Sequence, residues 1–341
     1  MQTRQWILAN PPTAEILNDT FELQTTTLPS VGPDQVLLKM QFMSNDPAQR
    51  AWIQGDLEED RVYTEPVRKG EVMRAFGVCE VVQSNADSLK TGQLVIATTG
   101  WSEYAVLDAK ACRPIQPNES AGIRATHFIG ALGGPGATAY YGLIDIVQTT
   151  ADDAVVISGA AGATGSIAIQ IAKHVIGCKK VIGIAGGEKK CKWVESLGAD
   201  ICIDYKNKDF EEQLRKATEG FVEVYFDNVG GPILDLMLTR VKRFGRIAAC
   251  GSVATYNSLR EGGLKNWTEI ILNRLQVKGF IITDADVPSI IQKLVQSIKE
   301  GKIKIGSDGE TVVPTKFEDV PKTWQLLFEG GNQGKLITEL K

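Results

Sequence analysis

"VVISGAAGATGSIAIQIAKHVIGCKKVIGIAGGEKK", residues 155–190, is the stretch on which the fold turns. Val155 to Ser158 is a continuous, β-branched apolar run, the pattern of a parallel strand buried on both faces. From Ser166 onward Ile167, Ile169, Ile171, Ala172 and Val175 recur at helical spacing, with Lys173 and His174 off that face. Three glycines, Gly159, Gly162 and Gly165, stand at the junction. Lacking a Cβ, Gly159 and Gly162 let the backbone turn sharply and approach a ligand, and Gly165 lets the helix pack closely on the strand. The first N–H groups of that helix have no intrahelical partner and favour an anion. A glycine-bearing strand–turn–helix of this kind is the setting of a dinucleotide-binding fingerprint, here with Ala160 in place of the first glycine of G-x-G-x-x-G.

The next apolar run, 181–185, ends where the adenosine ribose of a dinucleotide would lie. An NAD site supplies Asp or Glu there for the 2′-hydroxyl. In this chain the strand ends in Ala185-Gly186-Gly187, followed by Glu188, Lys189 and Lys190. Small residues and cations suit a 2′-phosphate, so the pattern favours NADP(H) over NAD(H). Glu188 is the one residue of the wrong sign, and the lysines also fit a solvated helix start.

At 341 residues the chain is long enough for two lobes with substantial cores. Its 23% charged content and net charge of −4 point to neither a nucleic-acid nor an anionic-membrane partner. No apolar run approaches the roughly 20 residues needed to span a bilayer. The opening "MQTRQWILANPP" has no signal-peptide core. Six cysteines form no C-x-x-C pair and read as buried free thiols of a reducing compartment, so a cytoplasmic protein is expected. Only two histidines occur, His127 and His174, too few for a His-rich metal site, and they leave little material for a Ser-His-Asp triad. A hydride-carrying cofactor fits what remains.

Up to about residue 120 the chain carries short alternating runs broken by Gly and Pro, the mark of an irregular β-rich lobe. From 121 helical and strand patterns alternate, which indicates a parallel sheet. Strands are expected at 154–158, 181–185, 201–204, 222–226, 246–250 and 276–282, with helices near 209–218, 233–243 and 287–300. The fold class is therefore α/β: a doubly wound Rossmann domain over 121–302, and a β-rich domain formed by 1–120 with 303–341. Ligands of such sheets lie beyond the carboxyl ends of the strands. Tyr205, Asn228, Gly251 and Tyr256 stand at or just after three of those ends.

With these residues in place, the chain resembles the zinc-free branch of the medium-chain dehydrogenase/reductases. It is most similar to the NADPH-dependent prostaglandin reductases and the plant alkenal double-bond reductases. The motifs that carry the likeness are "NDPAQR" (45–50), "LGGPGATAYYGL" (132–143), "GAAGATGS" (159–166), "DYK" (204–206), "FDNVGG" (226–231), "GRIAACGSVATYN" (245–257) and "GGNQGKLI" (330–337). The resemblance implies a GroES-like β-rich catalytic domain in addition to the Rossmann domain, and homodimers joined through the strand near 276–282. It implies that Gly162, Ala163, Thr164 and Gly165 underlie the cofactor pyrophosphate and that Lys190 meets the 2′-phosphate. Tyr205, Asn228 and Asn332 are implied cofactor contacts, with the backbone of Cys250, Gly251 and Ser252 and of Phe280, Ile281 and Ile282. Tyr256 matches the tyrosine that helps protonate the substrate or binds its carbonyl. Asn45, Ala48 and Phe76 fall in the substrate pocket, where Ala48 replaces an aromatic residue and Phe76 lacks the hydroxyl of the plant relatives.

The reaction this implies is NADPH-dependent reduction of the carbon–carbon double bond of an α,β-unsaturated ketone or aldehyde. An enolate needs less polarisation than direct carbonyl reduction, so no metal is called for. A quinone reductase, a secondary-alcohol dehydrogenase, a trans-acting enoyl reductase of a synthase and a plain NADPH-binding protein share the scaffold.

Overall fold

Val155, Val156 and Ile157 are fully buried, as a strand covered on both faces must be. They belong to the larger of two compact units into which the computed structural model divides, 130–309; the other comprises 1–129 and 310–341. Residues 1–55, 62–257 and 263–341 are described. The unit boundaries fall nine and seven residues later than the sequence pattern places them (129 against 120, 309 against 302). Side chains account for the difference. Arg124 and Thr126 donate to Glu310 Oε2 at 2.7 and 2.8 Å, tying 124–126 to the β-rich unit. Gln170 brackets Lys304 with two hydrogen bonds, and Trp193 Nε1 donates to Asp308, so 304–308 stay with the parallel unit.

The β-rich unit holds β1 (Gln2–Leu8), β2 (Phe21–Thr27), β3 (Gln35–Ser44), the short α1 (Gln49–Trp52), β4 (Gly77–Ser84), β5 (Leu94–Ala97), β6 (Tyr104–Asp108) and β7 (Arg113–Pro114). From the C-terminal end come β14 (Glu310–Thr315), α9 (Val320–Glu329) and β15 (Lys335–Leu340). β1 and β2 form a hairpin, and the remaining strands pair in the order β14-β15-β3-β4-β5-β7, with β6 also on β3. Its core centres on Trp101 and Trp324, whose rings meet edge-on at 5.7 Å.

The parallel unit begins with α2 (Gly134–Tyr140) and continues as β8 (Ala154–Ser158), α3 (Ala163–Gln170), β9 (Lys180–Ala185), α4 (Glu188–Ser196), β10 (Ile201–Asp204), α5 (Phe210–Ala217), β11 (Val222–Asp227), α6 (Gly231–Leu238), β12 (Val241–Ala249), α7 (Thr268–Asn273), β13 (Gln276–Gly279) and α8 (Val287–Lys299). Among the described residues the sheet order is β10-β9-β8-β11-β12-β13, all parallel, the doubly wound order whose switch point lies between β8 and β11.

Three expectations change in detail. Residues 165–172 are buried on every side, so α3 is covered all round rather than amphipathic. β12 starts at Val241, because a register shift with Phe244 at φ 63° carries the strand through the charged Lys242-Arg243 pair that hid it; the helix expected to 243 accordingly ends at Leu238. β13 stops at Gly279, and Phe280 turns inward onto Phe226 and Tyr141. The cysteines are also less uniformly buried than expected: Cys202 and Cys250 are half-buried.

Glu223 braces the amino ends of this sheet. Its carboxylate accepts the Ala154 N–H at 2.8 Å and pairs with Lys179 and Lys242, each at 3.0 Å. Burial pushes the Glu223 carboxyl up, but the Ala154 N–H and the two lysines pull it down to about 2. A depressed carboxyl stabilises the fold above its unfolded value of 4.5, and that contribution is lost as pH falls through the folded value. With solvent screening of half-exposed lysines, Glu223→Gln is expected to cost about 1–2 kcal/mol at neutral pH. Urea unfolding at neutral pH and near pH 2 checks this: the gap between variant and parent should close in acid.

Candidate active site

The carboxyl ends of β8, β11 and β12 are gathered by one buried carboxylate. Asp227 Oδ1 accepts the Tyr225 phenol at 2.7 Å, the Gly230 N–H at 2.9 Å, the Val229 N–H at 3.0 Å and the Ser158 hydroxyl at 3.1 Å. Its backbone carbonyl accepts the N–H groups of Cys250 at 2.9 Å and Gly251 at 3.0 Å. Burial raises the Asp227 carboxyl above its ordinary range, against the pull of these donors. So the charge is costly where it lies, and four hydrogen bonds offset it.

The glycine turn comes directly after β8. A Cβ on Gly165 would lie 2.2 Å from the Gly159 carbonyl oxygen, and one on Gly159, at φ 59°, would meet Asn228 Cβ at 3.3 Å. Close approach of α3 to the turn therefore requires glycine at 165, and what it packs against is the turn itself rather than the strand. Gly162 caps α3 without a side chain, so the first N–H groups of the helix, at Ala163, Thr164 and Gly165, take no hydrogen bond from the cap residue. Ala160 is fully buried and extends the strand by donating to the Ile184 carbonyl, which explains its place in the fingerprint.

Asn228 donates its amide to the Ser158 carbonyl at 2.7 Å, which leaves Oδ1 with no hydrogen bond among the described residues. Beyond β12, a Cβ on Gly251 would crowd the Asn228 carbonyl oxygen at 3.1 Å, and the nearby Tyr256 hydroxyl accepts the Ser252 N–H at 3.4 Å. Burial pushes the Cys250 thiol up to about 12. Phe280, Ile281 and Ile282 come after the carboxyl end of β13.

At the ends of β9 and β10 the Tyr205 ring lies over Gly186, where a Cβ would come within 2.8 Å of it. Lys190 is half-buried, and burial first, then the charge of Lys206, holds its ammonium below the usual lysine range. Glu188, the residue of the wrong sign, pairs with Lys192 at 2.6 Å one turn along α4. Lys206 was legible in "DYK" but carries no weight until the fold sets its charge beside Lys190.

The β-rich unit holds the other expected residues. Asn45 is buried, donates to Thr338 Oγ1 at 3.0 Å and keeps an Oδ1 with no partner among the described residues. Ala48 stands at the start of α1, and Phe76, 43% exposed, meets Trp52 edge-on at 6.3 Å. Trp52 Nε1 donates to the Tyr63 phenol at 2.7 Å. Trp52 thus meets both the Phe76 ring and the Tyr63 phenol, and nothing in the spacing of 52, 63 and 76 announces it. Asn332 closes its own turn by donating to the Gly334 carbonyl. Among the described residues no three His, Cys, Asp or Glu side chains come together as metal ligands do.

A six-stranded doubly wound sheet with a glycine turn at its switch point, in a chain that also carries a largely antiparallel β unit, defines a dehydrogenase/reductase scaffold. The chain belongs to the zinc-free branch of the medium-chain dehydrogenase/reductase family. Residues 4–115 match the N-terminal domain of oxidoreductases, and 163–300 match a domain described as a zinc-binding dehydrogenase. Prostaglandin reductase 1 of Rattus norvegicus is 33% identical over 99% of both chains. An uncharacterized membrane protein of Saccharomyces cerevisiae is 34% identical over 99% of this chain and 98% of its own. The crystal structure of CurA from Vibrio vulnificus in complex with NADPH superposes with a TM-score of 0.88, at 34% identity over 99% of each chain.

If Asp227 organises the strand ends, Asp227→Ala leaves four donors without an acceptor and is expected to cost about 3 kcal/mol or more. Asp227→Asn keeps one oxygen and should cost clearly less. Denaturant midpoints decide the matter, and equal losses for the two variants would show that the hydrogen bonds are not what matters.

Proposed function

We propose that this chain reduces the carbon–carbon double bond of α,β-unsaturated ketones and aldehydes with NADPH. The observation that carries the cofactor is the end of β9: no acid on the strand end, Tyr205 over Gly186, and a half-buried Lys190 on α4. The glycine turn fits a pyrophosphate, since its backbone surface is open where side chains would otherwise stand. The NADPH complex of CurA and the prostaglandin reductase likeness support the same cofactor and reaction.

Gly162, Ala163, Thr164 and Gly165 would hold the pyrophosphate, Lys190 the 2′-phosphate and the exposed Tyr205 ring the adenine. Asn228 offers Oδ1 as an acceptor, and Asn332 and the backbone of 250–252 and 280–282 are further contacts. Bound NADPH supplies a hydride for the β-carbon of the enone. Negative charge then gathers on the carbonyl oxygen, where a hydrogen-bond donor lowers the barrier. Tyr256 can play that part: its oxygen accepts the Ser252 N–H, which orients the hydroxyl to donate. Asn45, Ala48 and Phe76 contribute to substrate binding from the β-rich unit.

Among the described residues no helix is long and apolar enough to cross a membrane. Six free cysteines go with a cytoplasmic setting, which fractionation would test. A homodimer fits the free edge of β13, with Val277 and, on α7, Ile271 and Leu272 exposed by 46%, 65% and 59%. Sedimentation should give twice the chain mass, reverting to the monomer in Ile271→Asp; a monomeric parent would remove the proposal.

The reaction is tested by single-turnover mixing of the NADPH-loaded protein with simple enones, monitoring cofactor absorbance. Tyr256→Phe should slow hydride transfer about tenfold, less than a full oxyanion donor because water can substitute, and leave NADPH affinity unchanged. An unaltered rate would take Tyr256 out of the chemistry, and unchanged absorbance with every enone would take away the reaction.

A further inference from the structure

At the carboxyl end of β13 the Phe280 ring is seated by β11 and by the helix that opens the parallel unit. That helix does not stop at Tyr140 but widens into a π turn, Tyr141–Ile146. The Val147 N–H there donates at 3.1 Å to the Gly142 carbonyl, five residues back. Such turns are rare and recur at functional sites. Gly142 is buried, and a Cβ on it would lie 2.5 Å from both the Phe226 and the Phe280 rings. Tyr141 meets Phe280 edge-on at 5.8 Å, and Phe226 meets it at 6.1 Å. The far end of the turn is held from the sheet. Lys278 on β13 donates to the Ile146 carbonyl at 3.1 Å, and Arg246 on β12 to those of Val147 and Gln148 at 2.9 and 2.8 Å. Asp153 fixes Arg246 in turn, at 2.7 Å. Carbonyls that a helix end leaves without partners are thus met by side chains of β12 and β13.

We propose that Gly142 and the π turn are positioning elements for the nicotinamide half of NADPH. They seat the Phe280 ring and so fix the backbone of 280–282, against which that half lies. The proposal rests on the NADPH reading given above. In a doubly wound sheet a dinucleotide spans the switch point, with one nucleotide on each side. The glycine turn, Tyr205 and Lys190 assign the β8–β10 side to the adenosine, which leaves the ends of β11, β12 and β13 to the nicotinamide. There the Ile281 N–H forms no hydrogen bond among the described residues and can donate to a ligand. A main-chain donor is aimed only as well as its neighbouring side chain is held, and a buried ring in a close-fitting seat holds it well. Glycine at 142 lets that seat close. A larger residue would displace Phe280 and with it the donor.

Two measurements on the full chain test this. One is single-turnover hydride transfer to a simple enone. The other is fluorescence titration with NADPH and with adenosine 2′,5′-bisphosphate, which lacks the nicotinamide half. Gly142→Ala should slow hydride transfer at saturating NADPH by about 10- to 100-fold, the cost of a misplacement on the order of 1 Å. It should raise the NADPH dissociation constant about fivefold and change that of the bisphosphate less than about twofold. Tyr141→Leu adds no clash and should slow transfer about threefold, while Tyr141→Phe keeps the ring and should match the parent. Lys278→Met, which frees the end of the turn, should follow Tyr141→Leu. Should Gly142→Ala not fold, the Tyr141 and Lys278 variants decide. Variants with a lower denaturant midpoint but parental hydride transfer and NADPH affinity would overturn the positioning role and leave the cofactor reading standing. Equal losses of affinity for NADPH and the bisphosphate would do the same. If the parent binds NADPH but reduces no enone, the affinities decide. A parent that binds neither NADPH nor the bisphosphate would overturn the cofactor reading and the inference together.

Discussion

Everything at the switch point depends on the buried Asp227 carboxylate and the donors that converge on it. A parallel sheet leaves the last N–H and C=O groups of each strand to be satisfied by the adjoining loop, as at β8, β11 and β12. Burying a carboxylate there is unfavourable, yet one oxygen collects Ser158, Tyr225, Val229 and Gly230, and the Asp227 carbonyl adds Cys250 and Gly251. The loops are thereby held without using the groups that face outward. Asn228 keeps its Oδ1 without a hydrogen bond among the described residues, and Tyr256 reaches over Gly251.

Asp204 repeats the device on the other side of the sheet. There the collected groups are the N–H donors of Gly187 and Lys206. An acid that in sequence looks ill placed near an anion site is used on backbone, and Glu188 is used on Lys192. Local charge at a binding site is thus decided by which carboxylates are already engaged, a matter of hydrogen-bond geometry that composition does not reveal.

The β-rich unit obeys a different logic. Its alternating strands place Asn45 in a buried position at the end of β3, and its aromatic surface is assembled from α1, from the segment before β4 and from Tyr63. Ala48 and Phe76 adjoin Trp52, which donates to the Tyr63 phenol from elsewhere in the chain. This aromatic group is therefore built from residues far apart in sequence.

The amino-acid sequence by itself determined the parallel sheet, its glycine turn and the cofactor preference. Each of these is written in short-range patterns: β-branched runs, helical spacing, Gly165 where a Cβ would strike the Gly159 carbonyl, and lysines in place of an acid after 185. It also misplaced what depends on distant partners. The start of β12 lay hidden under Lys242 and Arg243, because their strand is set by pairing with β11 and β13 rather than by their own propensity. Residues 304–308 looked like part of the β-rich domain until Gln170 and Trp193 tied them to the other unit. Only the tertiary structure decided that Asp227 and Asp204 direct their charge to backbone donors and that Tyr63 stands with Trp52. Those are contacts between residues brought together by folding, and a linear pattern holds no record of the direction in which a side chain will find its partner.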